Sequence, residues 1–188
     1  MSTTNNAILS AEDKRTFFRL FIPLLQFTNQ KFEINEYLDE DLRSGHPYIE
    51  DLKEVADVLW QNTDTIDEFI KANEDRLSAV ERTLLERWRH PVSGQFILER
   101  HLAKGSIFIE SKVGNVYLVK GLTDPWSVMF ANRTPPILLD TTLIPFRDCI
   151  ISDGLTMAHN IYFSRGACND FKDVYTHAKQ NGKIISSL

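Results

Sequence analysis

Apolar residues recur along this chain at two different spacings, and the change from one to the other falls near Gly94. Before it, Phe17, Phe21, Leu24 and Leu25 lie on one helical stripe, which Phe18 and Ile22 widen. Leu52, Val55, Ala56 and Leu59 form a second stripe flanked by Trp60, and Ile66, Phe69 and Ile70 a third. Val80, Leu84, Leu85 and Trp88 make a fourth. Local signals bracket these helices. Ser10 stands where a hydroxyl caps the first helix, with Glu12 and Asp13 near the positive end of its dipole. Pro23 is expected to kink or divide that helix, since it lacks a donor and crowds the preceding turn. Residues 35–45 are acidic and poorly periodic, which suits a loop or a short helical turn, and Pro47 suits a helix's first turn. Thr65 with Glu68 and Ser78 with Glu81 both have capping-box spacing. His90 and Pro91 close the helical series.

Beyond Gly94 the period drops to two, the spacing of strands. Segments 96–102, 106–111 and 115–121 are predicted strands separated by Lys104-Gly105 and Gly114-Asn115 turns. Asp124-Pro125-Trp126 opens a helical turn through about 130. Further strands are predicted over 137–144, 148–152 and 155–163, the last two separated by an Asp153-Gly154 turn. A helix over 169–181 presents Phe171, Val174, Tyr175 and Ala178, and Ile184 and Ile185 return to the sheet. Strands joined by such short turns are antiparallel neighbours. The prediction is therefore an α+β chain. About four helices occupy 1–91, with 1–9 disordered, and 92–188 forms an antiparallel meander or small partly closed barrel with a C-terminal helix.

With 43% hydrophobic and 11% aromatic residues, the 188-residue chain can bury a core. A formal charge of −5 disfavours a general nucleic-acid binder, which needs a basic face to release counterions. The polar N-terminus lacks the pattern of a secretory signal, and the apolar run 17–27 is interrupted and too short to cross a bilayer. A soluble cytoplasmic protein is expected, with Cys149 and Cys168 as reduced thiols.

The stretch Leu143-Ile144-Pro145-Phe146-Arg147-Asp148-Cys149-Ile150-Ile151-Ser152-Asp153-Gly154-Leu155 resembles a C-terminal segment of an uncharacterised bacterial protein family. There a leucine and Pro-Phe precede paired isoleucines and an Asp-Gly turn. Val119-Lys120-Gly121-Leu122, Tyr175, Ala178-Lys179 and residues 184–188 share the likeness, which covers roughly the last two-fifths of the chain. The family places an aromatic where this chain has Ser152. The resemblance implies a related fold and no known activity.

Candidate chemistry gathers in the β half. Asp140, Arg147, Asp148, Asp153 and His159 meet if the later strands are neighbours, and carboxylates beside a histidine can hold a divalent ion and position a water. A metal-assisted hydrolase or nuclease would use Asp148, Asp153 and His159. The spacing matches no metal signature, and Asp148 and Asp153 stand where turns favour Asp. Cys149, followed by two isoleucines, reads as a buried apolar residue, with Arg147 expected on its strand face. Cys168 lies near a helix start. Phosphate-binding loops, nucleophile elbows and dinucleotide fingerprints are absent from the sequence. Lys104, Lys112 and Lys120, with His101 and Tyr117, would suit a nucleic-acid-associated regulator that stacks a single strand, but Glu99 and Glu110 dilute the positive field. Trp126 either plugs the open end of the sheet or, exposed beside Met129 and Phe130, marks a ligand or partner groove that Arg147 serves. The favoured expectation is a non-catalytic binding or interaction module for a small ligand or protein partner. It needs no cofactor, metal or membrane.

Overall fold

The computed structural model describes residues 7–45 and 47–188. They form two compact units, Glu12–Pro91 and Val92–Leu188, and the second also takes in residues 7–11. The chain is α+β.

The helical unit comprises α1 (Ala11–Phe32), α2 (Leu38–Ser44), α3 (Ile49–Gln61), α4 (Asp64–Ala72) and α5 (Ala79–Arg87). Phe17, Leu20, Phe21, Leu24 and Leu25 of α1 are buried, whereas Phe18 is 39% exposed. Pro23 does not divide α1, which runs unbroken past it. Phe21 stacks on Trp60 and meets Trp88 edge-on, so aromatic packing holds α1 on both sides of its stripe. Ser78 and Glu81 form the expected capping box at the start of α5, although Val80 faces solvent. Thr65 and Glu68 do not form one. Helix α4 begins at Asp64, and both side chains instead receive Lys31 Nζ from α1, at 3.2 and 2.7 Å. The spacing that suggested a cap serves a helix-to-helix tie.

The other unit is built from β1 (Val92–Leu102), β2 (Gly105–Glu110), β3 (Val116–Lys120), α6 (Trp126–Met129), β4 (Ile137–Phe146), β5 (Cys149–Ser152), β6 (Met157–Ala158), α7 (Arg165–Gln180) and β7 (Ile184–Ile185). Strands β1, β2 and β3 form a meander, and β4 and β5 a hairpin across Arg147-Asp148. The sheet is mixed, not wholly antiparallel. After α6 the chain does not lay β4 beside β3; β5 pairs with β3 in parallel, and β4 pairs with β1. The pairings therefore close as a ring, β1-β2-β3-β5-β4-β1, leaving few unpaired edges. Strand β7 adds a second parallel pairing on β3. Residues 7–9, expected to be disordered, are tied down: Gly121 N donates to Ala7 O at 2.8 Å, and Leu9 N to Gly121 O at 3.2 Å. Residues 1–6 of that expected segment lie outside the described residues.

Strand β2 is buried along almost its whole length because both its faces are covered. Phe108 points into the ring with Phe96, Leu98, Val119, Leu139 and Ile150. Ile107 and Ile109 point outward, where Tyr175 and Ala178 of α7 cover them. Helix α7 begins four residues earlier than predicted, because Ser164 caps it by accepting from Ala167 N at 3.2 Å.

Asp153-Gly154 does not turn the chain back on itself. Strands β5 and β6 run the same way along one edge of β4, but their registers differ by two residues. The segment between them is thus an inserted bend within an interrupted strand. Asp153 shapes it: its buried carboxylate accepts from Leu155 N at 3.0 Å, and Gly154 takes φ +85°. The predicted strand over 155–163 is reduced to Met157–Ala158.

Candidate functional site

The bend after β5 decides where His159 goes. In register, Asp140 of β4 faces Met157 of β6. His159, two residues further, is the diagonal neighbour on the same face. His159 N donates to Leu138 O at 2.9 Å, and the ring Nε2 lies 2.7 Å from Asp140 Oδ2. An imidazole held by a carboxylate has a fixed ring orientation.

A second segment meets this pair. Following α6, Arg133 N donates to Phe130 O at 2.9 Å, and the Arg133 guanidinium reaches back so that Nη1 donates to His159 O at 3.0 Å. The Pro135–Pro136 peptide bond is cis, and β4 starts directly after it. Between residues 132–137 and 159–163 lies a cavity of about 430 Å³, with Cys168 of α7 also in its wall. Its lining combines an arginine, a histidine and two asparagines with prolines, isoleucines, Tyr162 and Phe163. Tyr162 is 92% exposed at the rim. Cys168 is a half-buried free thiol in the first turn of α7. Another depression, about 410 Å³, lies where residues 114–116 meet α7, and it mixes Asp173 with His177 and Lys183.

The other sequence candidates lie elsewhere. Asp148 is exposed in the β4–β5 turn, and Asp153 caps its own bend, so neither shares a hydrogen bond with His159. Among the described residues no group of three or more histidine, cysteine or acidic side chains is placed to hold a metal ion. Arg147 is not on the Cys149 strand face; it occupies the hairpin turn with φ +51°. Cys149 is buried, and its thiol donates to Phe146 O at 3.1 Å.

Trp126 is inside the ring, 2% exposed, edge-on to Phe108 at 4.9 Å and stacked on Phe130. It plugs the sheet and offers no surface to a ligand, although Met129 beside it is 47% exposed. Tyr117 is also interior, so it cannot stack a base, and α7 covers the outward face of β1–β3. His101 is spent on Ser106, with Nδ1 2.8 Å from its Oγ, and burial pushes its pKa down. Asp140 and His159 were visible in sequence as candidates. Arg133 was not, because a lone arginine in a loop carries no pattern. The usable signal was negative: residues 125–139 and 154–169 contain no acid, in a chain with 26 of them.

No family model matches the chain, and no curated protein or solved structure matches it either. Among the described residues, no helix is long and apolar enough to cross a membrane.

Proposed function

We propose that this protein is a non-catalytic binding module whose β unit takes a small ligand in the cavity beside Asp140 and His159. The observation that carries this reading is a concave site whose wall mixes polar groups with prolines, isoleucines and aromatic rings. Its volume of about 430 Å³ falls within the roughly 300–1,000 Å³ usual for small-molecule sites. Two of its polar groups are positioned by the fold: His159 by Asp140, and Arg133 by the His159 carbonyl. Neither the hydrolase nor the nucleic-acid reading gains comparable support, since the acids do not converge and α7 occupies the strand face a nucleic acid would need. The two free thiols support a reducing, cytoplasmic setting.

Thermal melting against a small-molecule library tests this. Asn160 lines the cavity and is exposed, so Asn160→Trp obstructs the site without entering the core. Compounds that raise the melting temperature of the native chain should lose that effect in the variant, because stabilisation follows ligand occupancy. Stabilisers that act equally on both proteins would place binding elsewhere and end the proposal.

A further inference from the structure

Resting on the cavity as the ligand site, we infer that its ligand is a small monocarboxylate on an apolar or aromatic body, with the carboxylate taken by Arg133. Three observations converge on this chemistry. The Arg133 guanidinium offers five donors in a planar fork, and the contact to His159 O engages one nitrogen and holds the group in place. No described carboxylate pairs with it. An arginine left without an acid in a chain of net charge −5 is a ready partner for an external one.

Among the described residues that form the cavity wall, moreover, none is an acid. Asp140 stands outside the lining and is engaged with His159. Of the arginine, lysine and acidic side chains described, only Arg133 is in the lining, and it brings a single positive charge. One charge matches a carboxylate, which the guanidinium fork can also grip in bidentate fashion, better than it matches a phosphate monoester with nearly two charges. Pro135, Pro136, Ile137, Ile161 and Phe163 supply the apolar part of the wall, and Asn132, Thr134, Asn160 and Tyr162 carry neutral polar groups. That arrangement suits an acid carrying a hydrocarbon or aromatic body.

Titration of the full chain, followed by amide NMR shifts, tests the inference with 4-phenylbutyrate, indole-3-propionate, the primary amides of both acids, and phenyl phosphate. The acids should shift resonances of residues 132–137 and 159–168 and bind roughly tenfold tighter than their amides, the scale of one partly exposed charge-assisted contact. Arg133→Gln should abolish that preference by weakening the acids far more than the amides, and Arg133→Lys should keep part of it. Thermal melting of both variants reports whether they fold. Amides binding the cavity as tightly as acids, or acids unaffected by Arg133→Gln, would overturn the carboxylate assignment and leave the cavity as a ligand site. Phenyl phosphate binding tightest would overturn the single-charge argument. Probes that shift nothing in either segment would overturn both this inference and the site beneath it.

Discussion

At the scale of single residues, the β unit relies on a few polar side chains that are satisfied inside an apolar setting. Strand β1 bulges between Leu98 and Arg100. The extra residue brings Glu99 and Arg100, neighbours that would otherwise face apart, into an ion pair on one side. Arg100 then lies over the Tyr175 ring, 4.1 Å from its centre, and pins α7 to β1. Its pKa is raised, first by the hydrogen bond to Glu99. His101, next along β1, gives a pH signature. Burial lowers its pKa below the ordinary 6.5. The folded state therefore binds a proton less readily than the unfolded chain, so its contribution to stability is full above 6.5 and lost as pH falls below that value. Denaturant midpoints should drop from about pH 7 toward 5, the range in which histidine titrates, and His101→Gln should flatten that drop. A midpoint equally pH-dependent in the variant would assign the effect to other groups. Trp126 makes the largest single contribution among these positions: Trp126→Ala should cost about 3–5 kcal/mol in chemical denaturation, the range for emptying a buried aromatic site. A loss under about 1 kcal/mol would mean that the ring does not need its plug.

At the scale of elements, termini and bends are set by short-range hydrogen bonds. Helix α5 starts where the Ser78 hydroxyl accepts from Glu81 N and the Glu81 carboxylate accepts from Ser78 N at 3.0 Å. Burial pushes the Glu81 carboxyl up, but the Ser78 hydrogen bonds and Arg19 outweigh it, and the net pKa lies below 4.5. The sign is opposite in sense to a raised group: the stabilisation is complete above 4.5 and disappears as pH falls through the lowered folded value. Ser78→Ala should remove about 1 kcal/mol at neutral pH, as loss of a cap generally does. It should also weaken acid sensitivity, which denaturation of native and variant chains below pH 4.5 would show. An unchanged acid limb would detach Glu81 from the cap. In the β unit, Gly121 holds residues 7–9 against the ring. A methyl group there would sit 2.0 Å from the Asp124 carbonyl oxygen, so no larger side chain fits without moving that backbone. The bend of residues 153–156 has the widest consequence among these elements, since its two inserted residues set the register in which His159 meets Asp140.

At the scale of the whole molecule, what was legible in sequence and what was not divide by distance along the chain. The helices, β1–β3, the β4–β5 strands and the return of Ile184 and Ile185 are written in local periodicity and turn residues, and they stand close to where they were predicted. A meander or partly closed sheet was expected, but which strands close it was not legible, because β1–β4 and β3–β5 join segments dozens of residues apart and no local pattern encodes partner choice. Asp153-Gly154 misled for a related reason: the same dipeptide suits a reversal or an inserted bend, and only the tertiary pairing of β6 with β4 decides. Trp126 likewise satisfied two readings until Phe108 and Phe130 were seen against it. Of the site, Asp140 and His159 were named but their pairing was not; of the expected metal partners, Asp153 caps its own bend and Asp148 is exposed in the hairpin turn. Arg133 joined them only through the folded loop that follows α6. The central claim is that the cavity between residues 132–137 and 159–163 is where this protein meets its ligand. Crystallographic fragment screening of the full chain is its most direct test. The account predicts bound density in that cavity, with polar contacts to Arg133 or His159 and apolar contacts to Pro136 or Ile161. Fragments that gather reproducibly at other surfaces while this cavity stays empty would contradict it.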